Sequence, residues 1–147
     1  MFDLNHVLYD QEFIRTVNPQ RGHMEHLNGI VHVNSTSNEL LGFKNVRDDE
    51  FWVPGHIPGR PLLPGVLMLE TAAQLAAFYT KHVLGWEGFI GFGGLEDVKF
   101  RLAVEPGVKL YILAKQTWKR HHRVCCDTQG LVNGNIVFEA KVIGTQM

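Results

Sequence analysis

One segment in the middle of the chain is apolar on nearly every side of a helix. From Gly65 to Leu84 the sequence is rich in alanine and leucine, and Pro64 stands just before the first turn, where a helix tolerates proline. Gly85 is suited to end the helix. A helix that is hydrophobic all round is a buried helix, so the rest of the chain has to surround it.

The same segment does not predict a membrane-spanning helix, because four polar residues interrupt it: Glu70, Gln74, Lys81 and His82. With 147 residues, of which 45% are hydrophobic and 20% charged, the chain has the composition of a soluble globular domain. A formal charge of −1 argues against a protein that binds nucleic acid through bulk electrostatics. We therefore expect a single cytoplasmic domain over residues 1–147, with no nucleic-acid partner and no membrane insertion.

The segments on both sides of the helix have the pattern of antiparallel strands. Pro106-Gly107 and Asn133-Gly134 predict tight turns between consecutive strands, which βαβ units do not have. The sequence therefore predicts an α+β fold, with an antiparallel β-sheet wrapped around a long central α-helix. A short helix is expected near His6–Glu12, and the predicted strands are Gly29–Val33, Leu40–Val46, Val98–Val104, Val108–Trp118, Val124–Val132 and Ile136–Ile143.

Neither the cysteines nor the histidines near the N-terminus predict a metal site. Cys125 and Cys126 are the two cysteines of the chain, and they are neighbours, so we expect two free thiols in a strand and a reducing compartment. His23 and His26, even with Glu25 between them, lack the spacing of a metal centre. We expect no metal.

The loop before the central helix is the segment most suited to chemistry. Three prolines at a spacing of three, together with three glycines, make residues 55–65 (GHIPGRPLLPG) stiff while permitting unusual backbone angles. His56 is its titratable group near neutral pH. The loop leads into the helix N-terminus, where the amide of Gly65 could bind a developing oxyanion.

A carboxylate in the first turns of the apolar helix also requires an explanation. Glu70 has Gln74 four residues later, so both side chains share one face. Taken singly, a loop histidine is more often structural or exposed, and a helical glutamate more often solvated. Because His56, the rigid loop and Glu70 occur within fifteen residues, the combination makes a catalytic site as well supported as these structural interpretations.

Residues 56–74 (HIPGRPLLPGVLMLETAAQ) resemble the active-site motif of the FabZ-type 3-hydroxyacyl-[acyl-carrier-protein] dehydratases. Two further segments resemble the family, residues 51–55 (FWVPG) and residues 98–107 (VKFRLAVEPG). The resemblance runs from about Asp49 to the C-terminus and implies the hotdog fold, a helix wrapped in an antiparallel sheet. Residues up to Asp48 match poorly.

The resemblance implies dehydration of a (3R)-3-hydroxyacyl-[acyl-carrier-protein] to the trans-2-enoyl product in fatty-acid or related lipid synthesis, without a cofactor. His56 would take the proton next to the thioester carbonyl, and Glu70 would protonate the leaving hydroxyl.

The resemblance also implies a set of substrate-binding residues: Gly65, Gln74, Val66, Ile57 and Leu63. Gln74 would in addition orient Glu70. Ile57 and Leu63 stand where the family has phenylalanine and methionine, which changes the shape of the pocket. The glutamate, where FabA-type enzymes use aspartate, favours simple dehydration over isomerisation.

The implied partners are an acyl carrier protein with its phosphopantetheine arm and further copies of the chain, as a homodimer or a trimer of dimers with the site at the dimer interface. Four cations are candidates for docking the acidic carrier: Arg60, Lys99, Arg101 and Arg120. Arg120 lies in the basic run 119–123, and the alternative interpretation of this run is a solvated hairpin end without a binding role. The glycine-rich residues 89–94 are expected to form a flexible cover near the acyl tunnel. Two alternatives remain, a hotdog thioesterase and a non-catalytic protein that binds acyl thioesters.

Overall fold

The central helix and the strands around it follow one another along most of the chain. The structure is a computed structural model that describes residues 3–147, so the first two residues of the predicted domain lie outside the described part. Its elements, in chain order, are β1 (Tyr9–Asp10), α1 (Gln11–Arg15), β2 (Gly29–Asn34), β3 (Glu39–Asn45), α2 (Gly65–Phe78), β4 (Ile90–Phe100), β5 (Lys109–Arg120), β6 (Arg123–Val132) and β7 (Asn135–Gln146).

The strands form one antiparallel sheet, which in the described part of the chain has the order β1-β2-β3-β5-β6-β7-β4. Its inner face packs on α2, where Leu75 and Phe78 are fully buried against Leu110 and Ile112 of β5 and Phe138 of β7. Burial of apolar surface between a helix and the concave side of a sheet drives this arrangement. The α+β class and the hotdog architecture are therefore confirmed.

The central helix matches its prediction closely. After Phe78 the helix continues as one wide turn, Tyr79–Val83, in which the Leu84 amide donates to the Tyr79 carbonyl at 3.1 Å. Gly85 follows with a φ of +75°, the left-handed conformation that commonly ends helices. No helix within residues 3–147 is long and apolar enough to cross a membrane.

In the second half of the chain, the buried face of β5 and the hairpin between β6 and β7 were also predicted correctly, from strand alternation and from turn residues. Leu110, Ile112 and Ala114 of β5 are buried, as their alternation indicates. Asn133 and Gly134 both have positive φ, at 51° and 79°, as a tight hairpin between β6 and β7 requires. The basic run lies at the β5–β6 hairpin end, and the two cysteines are buried and free in β6.

The prediction for the segment after the central helix was wrong in part. β4 starts at Ile90, eight residues before the predicted strand, and it ends at Phe100. Within the glycine-rich run 89–94, residues 90–94 are therefore strand rather than flexible loop. Glycine hides the alternation that marks a strand, yet here it makes room for packing, because a Cβ on Gly91 would lie 2.8 Å from Cε of Met147.

The short helix predicted near His6–Glu12 lies a few residues later. β1 occupies Tyr9–Asp10, and α1 starts after it because the Asp10 carboxylate caps the helix, accepting from the Phe13 amide at 2.8 Å. An aspartate inside the predicted helix was the available signal, since this residue type favours the N-cap over the helix interior.

A buried ion pair joins β3 to the loop that follows it. The Lys44 ammonium lies 2.6 Å from Oε1 of Glu50, and the two side chains are 2% and 6% exposed. Burial alone would raise the pKa of Glu50, but hydrogen bonds from Lys44 and from the Arg47 amide outweigh burial and lower it. Burial lowers the pKa of Lys44 despite its partner. The pair holds the start of the loop that carries His56.

Replacing Glu50 by leucine leaves Lys44 as an unpaired buried charge, so Glu50→Leu is expected to reduce the free energy of unfolding by about 3–5 kcal/mol. The double variant Lys44→Met with Glu50→Leu should recover much of that loss. The measurement is urea unfolding followed by circular dichroism. Arg47→Ala, which breaks a pair that is 57% and 72% exposed, is the matched control and should cost less than about 1 kcal/mol. Equal losses for Glu50→Leu and Arg47→Ala would contradict the role of the buried pair.

His26 is a second buried titratable group beside this pair. Its ring is 1% exposed, its Nδ1 lies 3.2 Å from the Lys44 ammonium, and Phe51 covers it at 6.3 Å between ring centroids. Burial, and then the charge of Lys44, lower the pKa of His26 to about 4, against the weaker opposing effect of Glu50. The folded protein therefore holds this histidine neutral.

The lowered pKa of His26 makes stability fall in mild acid. Between pH 6.5 and about 4 the unfolded chain binds a proton at His26 that the folded chain does not, so the free energy of unfolding decreases as the pH is lowered. The contribution is on the order of 1 kcal/mol per pH unit, measured as the difference between wild type and His26→Gln in urea unfolding at several pH values. The exposed neighbour supplies the control, His23→Gln, which should keep the wild-type slope. A His26→Gln variant with the same slope as wild type would contradict the assignment.

Candidate active site

Glu70 and Gln74 meet on one face of α2, as their spacing predicts. Nε2 of Gln74 donates to Oε2 of Glu70 at 2.8 Å. Glu70 is half-buried, whereas Gln74 is 3% exposed. The glutamate is thus oriented by an amide that is itself almost out of contact with solvent.

Gln74 uses all its hydrogen-bonding capacity. Its Oε1 accepts from the backbone amides of His26 and Leu27, both at 3.1 Å, and its Nε2 also donates to the Met24 carbonyl at 2.7 Å. A side-chain amide has two acceptor lone pairs and two donor hydrogens, so no capacity is left over. The rotamer of Gln74 is therefore fixed by four bonds, and with it the position of the Glu70 carboxylate.

The segment that supplies these partners precedes β2, in the part of the chain that sequence analysis left unassigned. Asn18 adds a further contact, since its Nδ2 donates to the Gln74 carbonyl at 2.9 Å. Bonds to backbone groups leave no residue pattern, so His26 and Leu27 had no sequence signal in this role. Asn18, a buried polar side chain before a proline, had at most a weak one.

A cavity of about 200 Å³ opens beside Glu70, between α2 and strands β4, β6 and β7. Its polar residues are Gln20, Glu70 and Gln74, and the remainder is apolar or glycine. The other lining residues are Ala73, Ala76, Ala77, Phe89, Ile90, Gly91, Phe92, Val124, Val142, Ile143 and Gly144. An apolar cavity with a few convergent polar groups suits an aliphatic ligand that carries a reactive polar end.

His56 is held in one tautomer by the loop that carries it. Its Nδ1 lies 2.7 Å from the Leu62 carbonyl, and its own amide donates to the Trp52 carbonyl at 2.8 Å. Because a carbonyl can only accept, Nδ1 carries the hydrogen. The lone pair is then on Nε2, so His56 is arranged to act as a base through that atom.

The loop also stores backbone strain next to His56. Ile57 has a φ of 59°, in the left-handed region, where a β-branched residue is an outlier. Such a conformation costs on the order of 1–3 kcal/mol and persists when its surroundings fix it. The Arg60 amide, which donates to the Ile57 carbonyl at 2.9 Å, and Gly59, at a φ of 83°, close this turn.

A separate open groove contains His56 and the start of α2. Gly65 and Val66 line it together with Leu62, Leu63, Met68 and residues 100–103. The ring of Phe100 lies over Gly65, where a Cβ would come within 2.7 Å of its Cε1, so the helix begins with the residue that lacks one. No side chain caps this N-terminus. The Leu67 amide donates to the Pro64 carbonyl at 2.9 Å, so among the described residues the amides of Gly65 and Val66 are the ones left for a ligand.

The predicted substrate-binding residues differ in exposure. Val66 is 70% exposed and offers apolar surface in the groove. Ile57 is 47% exposed beside His56, but it does not line the groove. Leu63, at 3%, belongs to the core, and it reaches the groove only as part of its floor.

Within one chain, His56 and Glu70 line different concavities. The groove at His56 and the cavity at Glu70 share no lining residue, although both adjoin α2 and β4. The cavity adjoins the first residues of β4, and the groove adjoins its last residue, Phe100. Each chain thus carries two separate parts of the predicted site.

Three of the four cations predicted to dock a carrier lie near the His56 end of the molecule. Arg60 is exposed in the His56 loop, and Arg101 lines the His56 groove while donating to Glu139 at 2.6 Å. Lys99 shares a charged surface groove with Arg101. Arg120 lies elsewhere, at the β5–β6 hairpin end beside Trp86, which follows the other end of the helix. No cluster of three or more potential metal ligands occurs within residues 3–147.

Gln74→Met removes all four hydrogen bonds while keeping the side-chain length. Because it leaves buried amides and a carbonyl unpaired, the free energy of unfolding should fall by about 2–4 kcal/mol. Hydrogen exchange should lose protection at the amides of His26 and Leu27. Gln129→Met, on a half-buried glutamine with one 3.5 Å contact, is the control. If the two variants behave alike in both measurements, Gln74 does not fix this region.

A family model describing a FabA-like domain matches residues 18–141. The 3-hydroxyacyl-[acyl-carrier-protein] dehydratase FabZ of Desulfotalea psychrophila is 33% identical to this chain, over 73% of each chain. The FabZ of Haemophilus influenzae is 36% identical, over 71% of this chain and 72% of its own.

Solved structures agree on the fold at low sequence identity. The dehydratase heterocomplex ApeI:P from Xenorhabdus doucetiae matches with a TM-score of 0.75 and 16% identity, over 91% of this chain and 90% of that one. Cj0977, a sigma28-regulated virulence protein from Campylobacter jejuni, matches with a TM-score of 0.69 and 14% identity, over 94% and 90%. Together with a family match that extends over most of the chain, these findings show that the protein belongs to the FabA-like family and is a relative of its FabZ-type dehydratases.

Proposed function

We propose that this protein removes water from a (3R)-3-hydroxyacyl thioester on acyl carrier protein, giving the trans-2-enoyl thioester, in fatty-acid or related lipid synthesis. The observation that carries the proposal is the fixed tautomer of His56, whose Nδ1 donates to the Leu62 carbonyl and leaves Nε2 as a base. The FabZ relatives, which are named for this reaction, support it. We propose no cofactor, because proton transfers alone complete the chemistry.

Each step of the reaction has a residue suited to it. Nε2 of His56 takes the proton from C2, and the electrons of that C–H bond move toward the thioester carbonyl. The Gly65 amide hydrogen-bonds the carbonyl oxygen as charge develops, which is worth about 2.7–4 kcal/mol at comparable sites. Glu70 then gives a proton, directly or through a water, to the 3-hydroxyl, which leaves as water as the C2=C3 double bond forms. Proton exchange with solvent restores His56 and Glu70.

A second copy of the chain would bring the two parts of the site together. β4 is an edge strand that pairs with β7 on one side only, and Phe89, Phe92, Leu95 and Phe100 on or beside it are 39–51% exposed. A free edge with exposed apolar side chains is suited to pairing with another strand. If two copies of β4 pair antiparallel about a two-fold axis, the start of one strand faces the end of the other. The Glu70 cavity of one copy then adjoins the His56 groove of its partner.

We also propose roles for the other predicted site residues, which bind the substrate or dock its carrier protein. Gly65, Gln74, Val66, Ile57 and Leu63 bind or position the acyl thioester. Arg60, Lys99 and Arg101 are the carrier-docking cations nearest His56, and Arg120 is a separate candidate. Their positive charge suits an acidic carrier protein.

We propose a homodimer, or a trimer of dimers, acting in the cytoplasm as one domain over residues 1–147. The two buried thiols fit that compartment, and a core formed by residues from Ile14 to Val142 fits one domain.

The decisive assay follows loss of water from 3-hydroxyacyl thioesters on carrier protein, at several chain lengths. His56→Ala and Glu70→Gln are each expected to lower kcat/KM by about 10²–10⁴-fold, because each removes a group that transfers a proton. His23→Ala and Glu87→Gln, on exposed residues of the same types, should retain wild-type activity. Circular dichroism and gel filtration verify that all variants keep the wild-type fold and assembly.

Other outcomes of this assay would point to other functions. Release of free carrier thiol and a carboxylic acid would indicate a thioesterase. Tight binding of the same thioesters without turnover, at every chain length, would indicate a non-catalytic acyl-binding protein. Either result with the wild-type protein would contradict the proposed dehydratase function.

A further inference from the structure

We propose that Gln20 binds the 3-hydroxyl group of the substrate, accepting a hydrogen bond from it through Oε1. This role rests on the proposed dehydratase function. It assigns a substrate contact to the segment before β2, where the sequence offers no recognisable motif. It also gives the site a means of distinguishing the hydroxylated substrate from its dehydrated product.

Gln20 carries a buried hydrogen-bond acceptor that has no donor. Gln20 lines the cavity that contains Glu70 and Gln74. Its Oε1 is buried, and no donor among residues 3–147 lies within hydrogen-bond distance of it. Such acceptors are rare in folded proteins because burial without a partner is unfavourable. The other buried unpaired atoms of the described residues, Asn18 Oδ1, His26 Nε2, Ser37 Oγ and Trp52 Nε1, belong to residues that do not line this cavity.

The backbone around Gln20 is fixed before any ligand binds. The guanidinium of Arg21 donates from Nη1 to the carbonyls of Asn18 and Gln20, at 2.8 and 2.7 Å, and from Nη2 to the Arg15 carbonyl at 2.8 Å. Pro19 stiffens the same segment. Asn18 in turn ties it to α2 through the Gln74 carbonyl, at 2.9 Å. Gln20 therefore approaches the cavity from a rigid support that is bonded to the helix carrying Glu70.

The chemistry of the substrate leaves one donor for this acceptor. Around the carbons that react, the thioester carbonyl and the sulfur only accept hydrogen bonds, so the 3-hydroxyl is the group with a polar hydrogen. A hydroxyl that receives a proton from Glu70 has its own hydrogen free for Gln20. When the C3–O bond breaks, the departing water keeps one hydrogen toward Oε1 of Gln20 and the other toward the Glu70 carboxylate. The enoyl product has no such donor, so Gln20 favours substrate over product.

Gln20→Leu tests the contact because it keeps most of the side-chain volume and removes the acceptor. It should lower kcat/KM for the 3-hydroxyacyl-carrier substrate by about tenfold, the value of one neutral hydrogen bond. The inhibition constant of the saturated acyl-carrier thioester, which lacks the hydroxyl, should stay within about twofold. Gln11→Leu, on a half-buried glutamine of α1 that lines neither the Glu70 cavity nor the His56 groove, is the matched control and should change neither value.

Two results would overturn the proposal. An unchanged kcat/KM in Gln20→Leu would exclude the contact, and equal weakening of both ligands would make Gln20 a purely structural residue. Gln20→Glu supplies a second test, because it keeps an acceptor and should keep the preference for the hydroxylated ligand over the saturated one. Loss of that preference would also contradict the proposal.

Calorimetry separates this inference from the proposed function. The affinities of 3-hydroxyacyl and saturated acyl thioesters of one chain length are compared in His56→Ala, with and without Gln20→Leu, because His56→Ala is expected to slow dehydration by about 10²–10⁴-fold. If Gln20→Leu abolishes a preference for the hydroxylated ligand but the wild type does not dehydrate that ligand, the reaction is contradicted and the Gln20 contact is kept. If the wild type dehydrates its substrate but the ligand preference is the same with and without Gln20→Leu, the Gln20 contact is contradicted and the reaction is kept.

Discussion

The candidate site depends on one buried amide. Gln74 bonds the backbone of residues 24–27 through three of its hydrogen bonds and Glu70 through the fourth. A buried amide with every donor and acceptor paired has one low-energy orientation, because rotation would leave several groups unpaired in a medium of low dielectric constant. The same four bonds therefore attach the segment before β2 to the central helix and fix a carboxylate at the cavity. Lys44 and Glu50 form a buried ion pair, and the Lys44 ammonium contacts Nδ1 of His26 in that segment.

The two residues proposed to transfer protons are held in place independently of each other. Glu70 is held from the helix by a glutamine, and His56 is held from the loop by the Leu62 carbonyl. Since each residue lines its own concavity, the proposed acid and the proposed base are separate within one chain. β4 passes both places, the cavity at its start and the groove at its end. In the proposed dimer, antiparallel pairing of two copies of this edge strand, with its exposed phenylalanines, would complete two identical sites at once.

Much of this was predictable from sequence where the physical signal is local. An apolar helix bounded by Pro64 and Gly85, strand alternation in β5, and the Asn133-Gly134 turn each determine backbone structure over a few residues, and all three predictions were correct. The contact between Glu70 and Gln74 followed from helical spacing. The hydrogen-bond partners of Gln74 before β2 could not be predicted, because they are backbone groups, which every residue carries. The start of β4 was missed because its glycines carry no side chain to alternate. Gln20 has no sequence signal, and two structural facts make it a candidate: its Oε1 is buried without a donor, and the residue lines the same cavity as Glu70.

Subunit mixing tests the central claim most directly, that an active site needs Glu70 from one copy and His56 from another. His56→Ala and Glu70→Gln chains would be unfolded together in equal amounts, refolded, and assayed for dehydration beside each variant refolded alone. Random pairing makes half of the dimers mixed, and each mixed dimer has one intact site of two, so the account predicts recovery of about a quarter of wild-type activity. A mixture no more active than the separate variants, with subunit exchange verified by mass spectrometry, would contradict a shared site and require both residues to act within one chain.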